Sequence, residues 1–119
     1  MISSDTRYNE NIVKYGAGAD LLIHEVAMAR PELMALDYIR RIMAHHTTGQ
    51  EAGMVFARTR PKLAAYTRLV LLANDKIPPP NLADLIAETR RSYDGLLEVG
   101  EDLMCFEIGE IVTVRRRKA

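Results

Sequence analysis

The chain has 119 residues, enough for one ordinary domain and too few for two. Hydrophobic residues make up 48% and charged residues 27%, which is a globular composition rather than a disordered one. Sixteen basic residues balance sixteen acidic ones, so nothing in the charge calls for nucleic acid or an anionic membrane as an obligatory partner. The lone cysteine, Cys105, rules out an intrachain disulfide and suits a reducing compartment. No signal-like segment opens the chain, and no apolar run reaches the roughly 20 residues that span a bilayer. The expectation is a cytoplasmic protein with no membrane contact.

In chain order, Met1-Ile2-Ser3 reads as a strand stub. A short helix is predicted over Asn9–Tyr15, closed by Gly16 and Gly18. The run Asp20-Leu21-Leu22-Ile23-His24 is almost wholly apolar, as in a strand buried on both faces. Pro31 can open a helix at its first position, and Leu33, Leu36, Ile39 and Met43 predict that helix over 31–44. Thr48 and Glu51 match a capping box, which starts another helix at about Gly49 and runs it to Arg58, before Pro61. A central strand is expected within Leu63–Leu72. Pro78-Pro79-Pro80 then enforces an extended connector, and a helix follows over Asn81–Tyr93. The alternation of Met104, Phe106 and Ile108, followed by Ile111–Val114, predicts a hairpin turning at Gly109-Glu110. Residues 115–119 (Arg-Arg-Arg-Lys-Ala) form a basic tail, read as solvated. The order of elements is that of an α/β domain with helices packed on a sheet.

The candidate chemistry is scattered. None of His24, His45 and His46 has the spacing that presents two imidazoles to one metal. His24 and Glu25 sit at the carboxyl end of a predicted strand, where ligands gather in open α/β sheets; a polar strand end bonded to a nearby loop is the plainer reading. Asp5 follows the strand stub and suits an N-cap better than a ligand position on spacing alone. His46 precedes a capped helix, which could make an anion site or simply an exposed loop histidine. Cys105 lies in an alternating strand and reads as a structural thiol.

Together these segments resemble one family. Ser3-Ser4-Asp5-Thr6-Arg7 resembles the Ser-Gly-Asp-Thr-Arg segment of metallo-β-lactamase-fold hydrolases of the ribonuclease Z and arylsulfatase-like branch. Residues 18–25, Gly-Ala-Asp-Leu-Leu-Ile-His-Glu, match that branch's strand of the same sequence. His46-Thr47-Thr48 resembles its His-Ser-Thr motif, and 62–67 resembles the strand that ends in Thr-His. The resemblance implies half of an αββα sandwich with a mixed sheet, flanking helices and a C-terminal hairpin, making residues 1–119 a single partial domain, the C-terminal half of the fold. It implies an enzyme lineage that hydrolyses phosphodiester or ester substrates with a two-zinc centre. Asp5 would then bridge the metals, His46 would contact the substrate or steady the transition state, and His24 and Glu25 would support the site from its edge.

Two departures weigh against an active centre. The family's His-x-His-x-Asp-His motif is absent, and Arg68 stands where the last histidine ligand is expected. A guanidinium offers donors and no lone pair. Of the expected ligands only Asp5 remains, whereas zinc takes three or four from the protein. The chain is therefore expected to be inactive alone and to hold no zinc, with a non-catalytic interaction module as the alternative function. Half a sandwich also bares a sheet face. At roughly 25 cal/mol per Å², losing many hundred Å² of burial costs on the order of tens of kcal/mol, against about 5–15 kcal/mol for a whole domain. A second copy or a complementary N-terminal half is the expected partner; nucleic acid enters only through the family's RNA-processing members.

Overall fold

The structure is a computed structural model and describes residues 1–3, 6–101 and 104–116. Four parallel strands form one sheet in the order β1 (Ile2–Ser3), β2 (Leu21–Met28), β3 (Leu63–Leu71), β4 (Leu97–Val99). Neighbours in the sheet are successive in the chain, so each pair is joined by a helical crossover, as parallel pairing requires. The crossovers contain α1 (Glu10–Gly16), α2 (Asp37–Met43) with α3 (Gly49–Thr59), and α4 (Leu82–Thr89). Among the described residues, antiparallel pairing is confined to a separate ribbon of β5 (Cys105–Ile108) and β6 (Val112–Arg115), which turns through residues 109–111.

The main core lies between one sheet face and α1, α3 and α4. Leu22 and Val26 of β2 and Ala64 and Tyr66 of β3 pack there against Val13, Ala52, Val55, Phe56, Leu85 and Tyr93. Phe56 is its centre, with ring centroids 5.6 Å from Tyr66 and 5.5 Å from Tyr93. The Tyr66 hydroxyl lies 2.5 Å from Thr89 Oγ1, which itself donates to the Leu85 carbonyl at 3.0 Å. Burial pushes the Tyr66 phenol well above its ordinary value. Helices α3 and α4 approach so closely at Gly53 that a Cβ there would stand 2.6 Å from the Thr89 carbonyl oxygen.

The opposite sheet face is not bare. Phe106, Val112 and Val114 of the ribbon pack over Leu21, Leu63 and Ala65. Lys62 Nζ donates to the Gly109 carbonyl, and Arg116 pairs with Glu98 of β4, so the ribbon is tied at both ends. Arg115 pairs with Glu107 across it. Cover stops short of the margins: Ile2 is 71%, Ile108 60% and Ile111 74% exposed.

Several elements differ from the sequence expectation. The helix predicted over 31–44 is a 3-10 turn (Leu33–Ala35), an extended Leu36, and then α2. The buried residues explain the break. Leu33 and Ile39 both enter a small cluster with Ala27 and Met43, and positions six apart lie on different faces of an unbroken helix. Leu36, expected in the stripe, is among the exposed apolar residues. Strand β2 continues four residues beyond His24, to Met28. Helix α4 stops at Thr89 and leaves Tyr93 to reach the core from a turn. Strand β4 was not predicted; its Leu-Glu-Val sequence is too short to show a period.

Candidate functional site

Strand β1 ends beside His24, β2 and β3 run on together to Met28 and Leu71, and the segment before α3 lies against β2. Glu25, in β2, is fully buried, and its carboxylate organises the junction. Oε1 accepts from the backbone N–H of Thr47 at 2.9 Å and of Thr6 at 3.3 Å. Oε2 lies 3.2 Å from Nδ1 of His46. The Thr47 hydroxyl donates to the Thr6 carbonyl at 2.5 Å, and the Ala27 N–H donates to the Thr47 carbonyl at 2.9 Å. Three segments distant in sequence are thus held by one acid and one threonine.

The placement of His46 follows from local structure. Thr48 caps α3 through a reciprocal box: Glu51 N–H to Thr48 Oγ1, and Thr48 N–H to Glu51 Oε1, both 3.1 Å. That fixes where α3 begins, and a parallel bridge between Ala27 and Thr48 fixes it against β2. With an acceptor at Nδ1, the His46 ring carries its N–H there and keeps the lone pair on Nε2. The side chain is 20% exposed. A buried acid orienting a partly exposed imidazole is an arrangement suited to taking up a proton at Nε2 and, once it is protonated, to donating to an anion there.

His24, the neighbour of Glu25, points elsewhere. Alternation along β2 carries its ring into the helix–sheet core, edge-on to Phe56 at 6.4 Å. Nδ1 donates to the Glu25 carbonyl at 2.8 Å, and Nε2 is buried without a hydrogen-bond partner. Burial lowers the pKa, partly offset by that carbonyl and by the Glu25 charge. The structure brings Glu25 and His46 together and leaves His24 on the other side of the sheet. His45 is exposed. Asp5 lies outside the described residues.

Arg68 marks an irregularity that the sequence did not reveal. Glu25 pairs with Thr67 and Val26 with Leu69, so Arg68 is the extra residue of a β-bulge, with φ of 50°. It lines a cleft with Thr67, Gly100, Glu101, Met104 and Phe106. Sequence reasoning also missed Thr6 and Thr47; their flanking of Asp5 and His46 was the available signal.

Among the described residues, no three His, Cys, Asp or Glu side chains come together as a metal-binding group. The guanidinium of Arg68 cannot serve as a ligand.

No protein-family model matches the chain, and no curated protein matches it. Among solved structures, the metallo-β-lactamase fold protein YhfI from Bacillus subtilis aligns with 82% of this chain at a TM-score of 0.57 and 20% identity. The fold is that of part of a metallo-β-lactamase. The chain spans 35% of the YhfI chain. The parallel sheet, the flanking helices and the terminal hairpin are consistent with a fragment of the metallo-β-lactamase fold. No described helix is long and apolar enough to cross a membrane.

Proposed function

We propose that this chain is the C-terminal half of a metal-dependent hydrolase of the ribonuclease Z and arylsulfatase-like branch, a fragment or truncated homologue inactive on its own. The observation that carries this reading is the Glu25–His46 pair, 3.2 Å apart, with the acid held in β2 of a parallel sheet. In this reading it is a substrate-side element. In such an enzyme His46 would meet a phosphodiester or ester substrate through Nε2 while Glu25 holds the ring. The family chemistry uses zinc, and a complementary N-terminal half would supply the missing ligands. The single thiol fits a cytoplasmic setting.

The test is an assay of the purified chain with bis-p-nitrophenyl phosphate and p-nitrophenyl acetate, with and without added zinc, alongside elemental analysis. The expected result is no turnover above buffer and no tightly held zinc. Saturable zinc-dependent turnover would overturn the reading.

The exposed Ile2, Ile108 and Ile111 at the margin of the ribbon-covered face favour a second reading, a self-associating interaction module. Light scattering separates the two readings. A concentration-independent dimer that Ile111→Lys dissociates supports the module; a monomer of 13.4 kDa at all concentrations rejects it.

A further inference from the structure

We propose that the cleft between the end of α3 and the turn joining α4 to β4 binds a free α-amino acid with an aliphatic side chain, its carboxylate on Arg60 and its ammonium on Asp94. The cleft has a volume of about 450 Å³, within the range of small-ligand pockets. Ala57, Pro61, Tyr93 and Leu96 line it together with those two charged residues. Strands β3 and β4 begin beside it, at Leu63 and Leu97, and it shares no residue with the Glu25–His46 pair.

The walls of this cleft are set by the fold. The Tyr93 hydroxyl donates to the Leu96 carbonyl at 3.0 Å, and Nη1 of Arg90 donates to the Tyr93 and Gly95 carbonyls at 3.3 and 2.5 Å. A Cβ at Gly95 would collide with the Tyr93 ring, which packs on Phe56 in the core. On the facing side Arg60 has a φ of 50°, and Pro61 follows with its fixed φ. Glycine suits the left-handed end of a helix, so an arginine there places a guanidinium beside the cleft at the cost of backbone strain. Arg60 and Asp94 are both exposed, and among the described residues neither forms an ion pair. A simple anion would meet Asp94 as a like charge, and a simple cation would meet Arg60. The cleft therefore favours a ligand that carries both signs. The carboxylate of an amino acid suits the planar fork of a guanidinium, and its ammonium donates to a carboxylate. Leu96 is 69% exposed beside them, so an aliphatic side chain laid on Leu96 and Pro61 takes apolar surface from water. This proposal stands apart from the hydrolase reading, since it requires binding and no turnover.

The test is titration of the full chain with L-leucine, leucinamide, N-acetylleucine and glycine, followed by calorimetry and amide shifts. Leucine should bind saturably, with shifts at Arg60, Gly95 and Leu96. Leucinamide lacks the carboxylate and N-acetylleucine lacks the ammonium. Each should bind about tenfold to a hundredfold more weakly, the worth of one charged hydrogen-bonded contact. Arg60→Gly should weaken leucine by the same factor and leave leucinamide unchanged, whereas Asp94→Asn should weaken leucine and leave N-acetylleucine unchanged. Because glycine adopts a φ of 50° freely, Arg60→Gly should melt no lower than the parent, so a loss of binding is not a loss of fold. No saturable binding at millimolar leucine, shifts confined to other residues, or equal binding by the parent and both variants overturns the proposal. Equal affinity for glycine and leucine overturns the part assigned to the apolar wall.

Discussion

Glu25 Oε2 and His46 Nδ1 lie 3.2 Å apart, while the other oxygen of the same carboxylate accepts two backbone N–H groups. Every role of this acid is that of an acceptor, so Glu25→Gln introduces a donor where none is wanted. If the amide nitrogen faces the backbone, two buried N–H groups compete for nothing; if it faces His46, the imidazole must give up its Nδ1 proton. We expect a loss of about 1–3 kcal/mol in urea unfolding, the cost of a buried unmatched polar group. We also expect the His46 tautomer to shift toward Nε2–H, read from its ring nitrogen shifts by NMR. An unchanged tautomer with full stability would show that Glu25 does not orient the ring.

How much of this was legible in the sequence varied with the range of the forces involved. Helix α3 begins where Thr48 and Glu51 place it, because a capping box is satisfied within four residues. The ribbon was legible because Phe106, Ile108, Val112 and Val114 alternate on either side of a glycine turn. The break at Leu36 was not, because it depends on Leu33 and Ile39 sharing one cluster, which is a tertiary demand. In the site, the residue types at Glu25 and His46 drew notice, but adjacency made His24 look like their companion. Strand alternation sends it to the opposite face. The bulge at Arg68 left no local sign, since nothing in Tyr-Thr-Arg-Leu distinguishes a residue of positive φ from its neighbours.

His24 makes stability depend on pH. Its folded pKa is lowered from an ordinary value of 6.5, chiefly by burial. Just below 6.5 the unfolded chain therefore binds a proton that the folded chain does not, and stability falls as pH falls. The contribution is full above 6.5 and is lost progressively toward the folded value. His24→Phe keeps an aromatic ring against Phe56 and removes the titrating group. Its unfolding free energy should vary less than the parent's between pH 7 and pH 5 when both are followed by urea denaturation. Parallel profiles would mean that another group carries the dependence.

Gly53→Ala sets helix propensity against packing. In an open helix the change gains up to about 1 kcal/mol. Here the new Cβ would stand 2.5 Å from Ser92 Oγ and 2.6 Å from the Thr89 carbonyl oxygen. Serine can turn away, but a backbone carbonyl at the end of α4 moves only with the helix. Overpacking of this kind costs about 1–3 kcal/mol, so the net expectation is a lower melting temperature. A rise would show that α4 shifts without resistance.

Arg60 ends α3 in the left-handed region, with φ of 50° and its N–H bonded to the Phe56 carbonyl at 2.9 Å. Position C′ of a helix in this conformation is the usual place for glycine. The left-handed backbone costs an L-residue roughly 1–2 kcal/mol, and glycine returns about 0.4–1 kcal/mol of that through its freer unfolded chain. Pro61 follows directly and keeps the exit of the helix fixed whichever residue stands before it. Arg60→Gly should therefore stabilise the chain by about 0.5–1 kcal/mol, the difference between those two terms. For a domain of this size that is a melting temperature higher by about 2–5 °C, measurable by calorimetry. A fall would mean that the Arg60 side chain contributes more than its backbone costs.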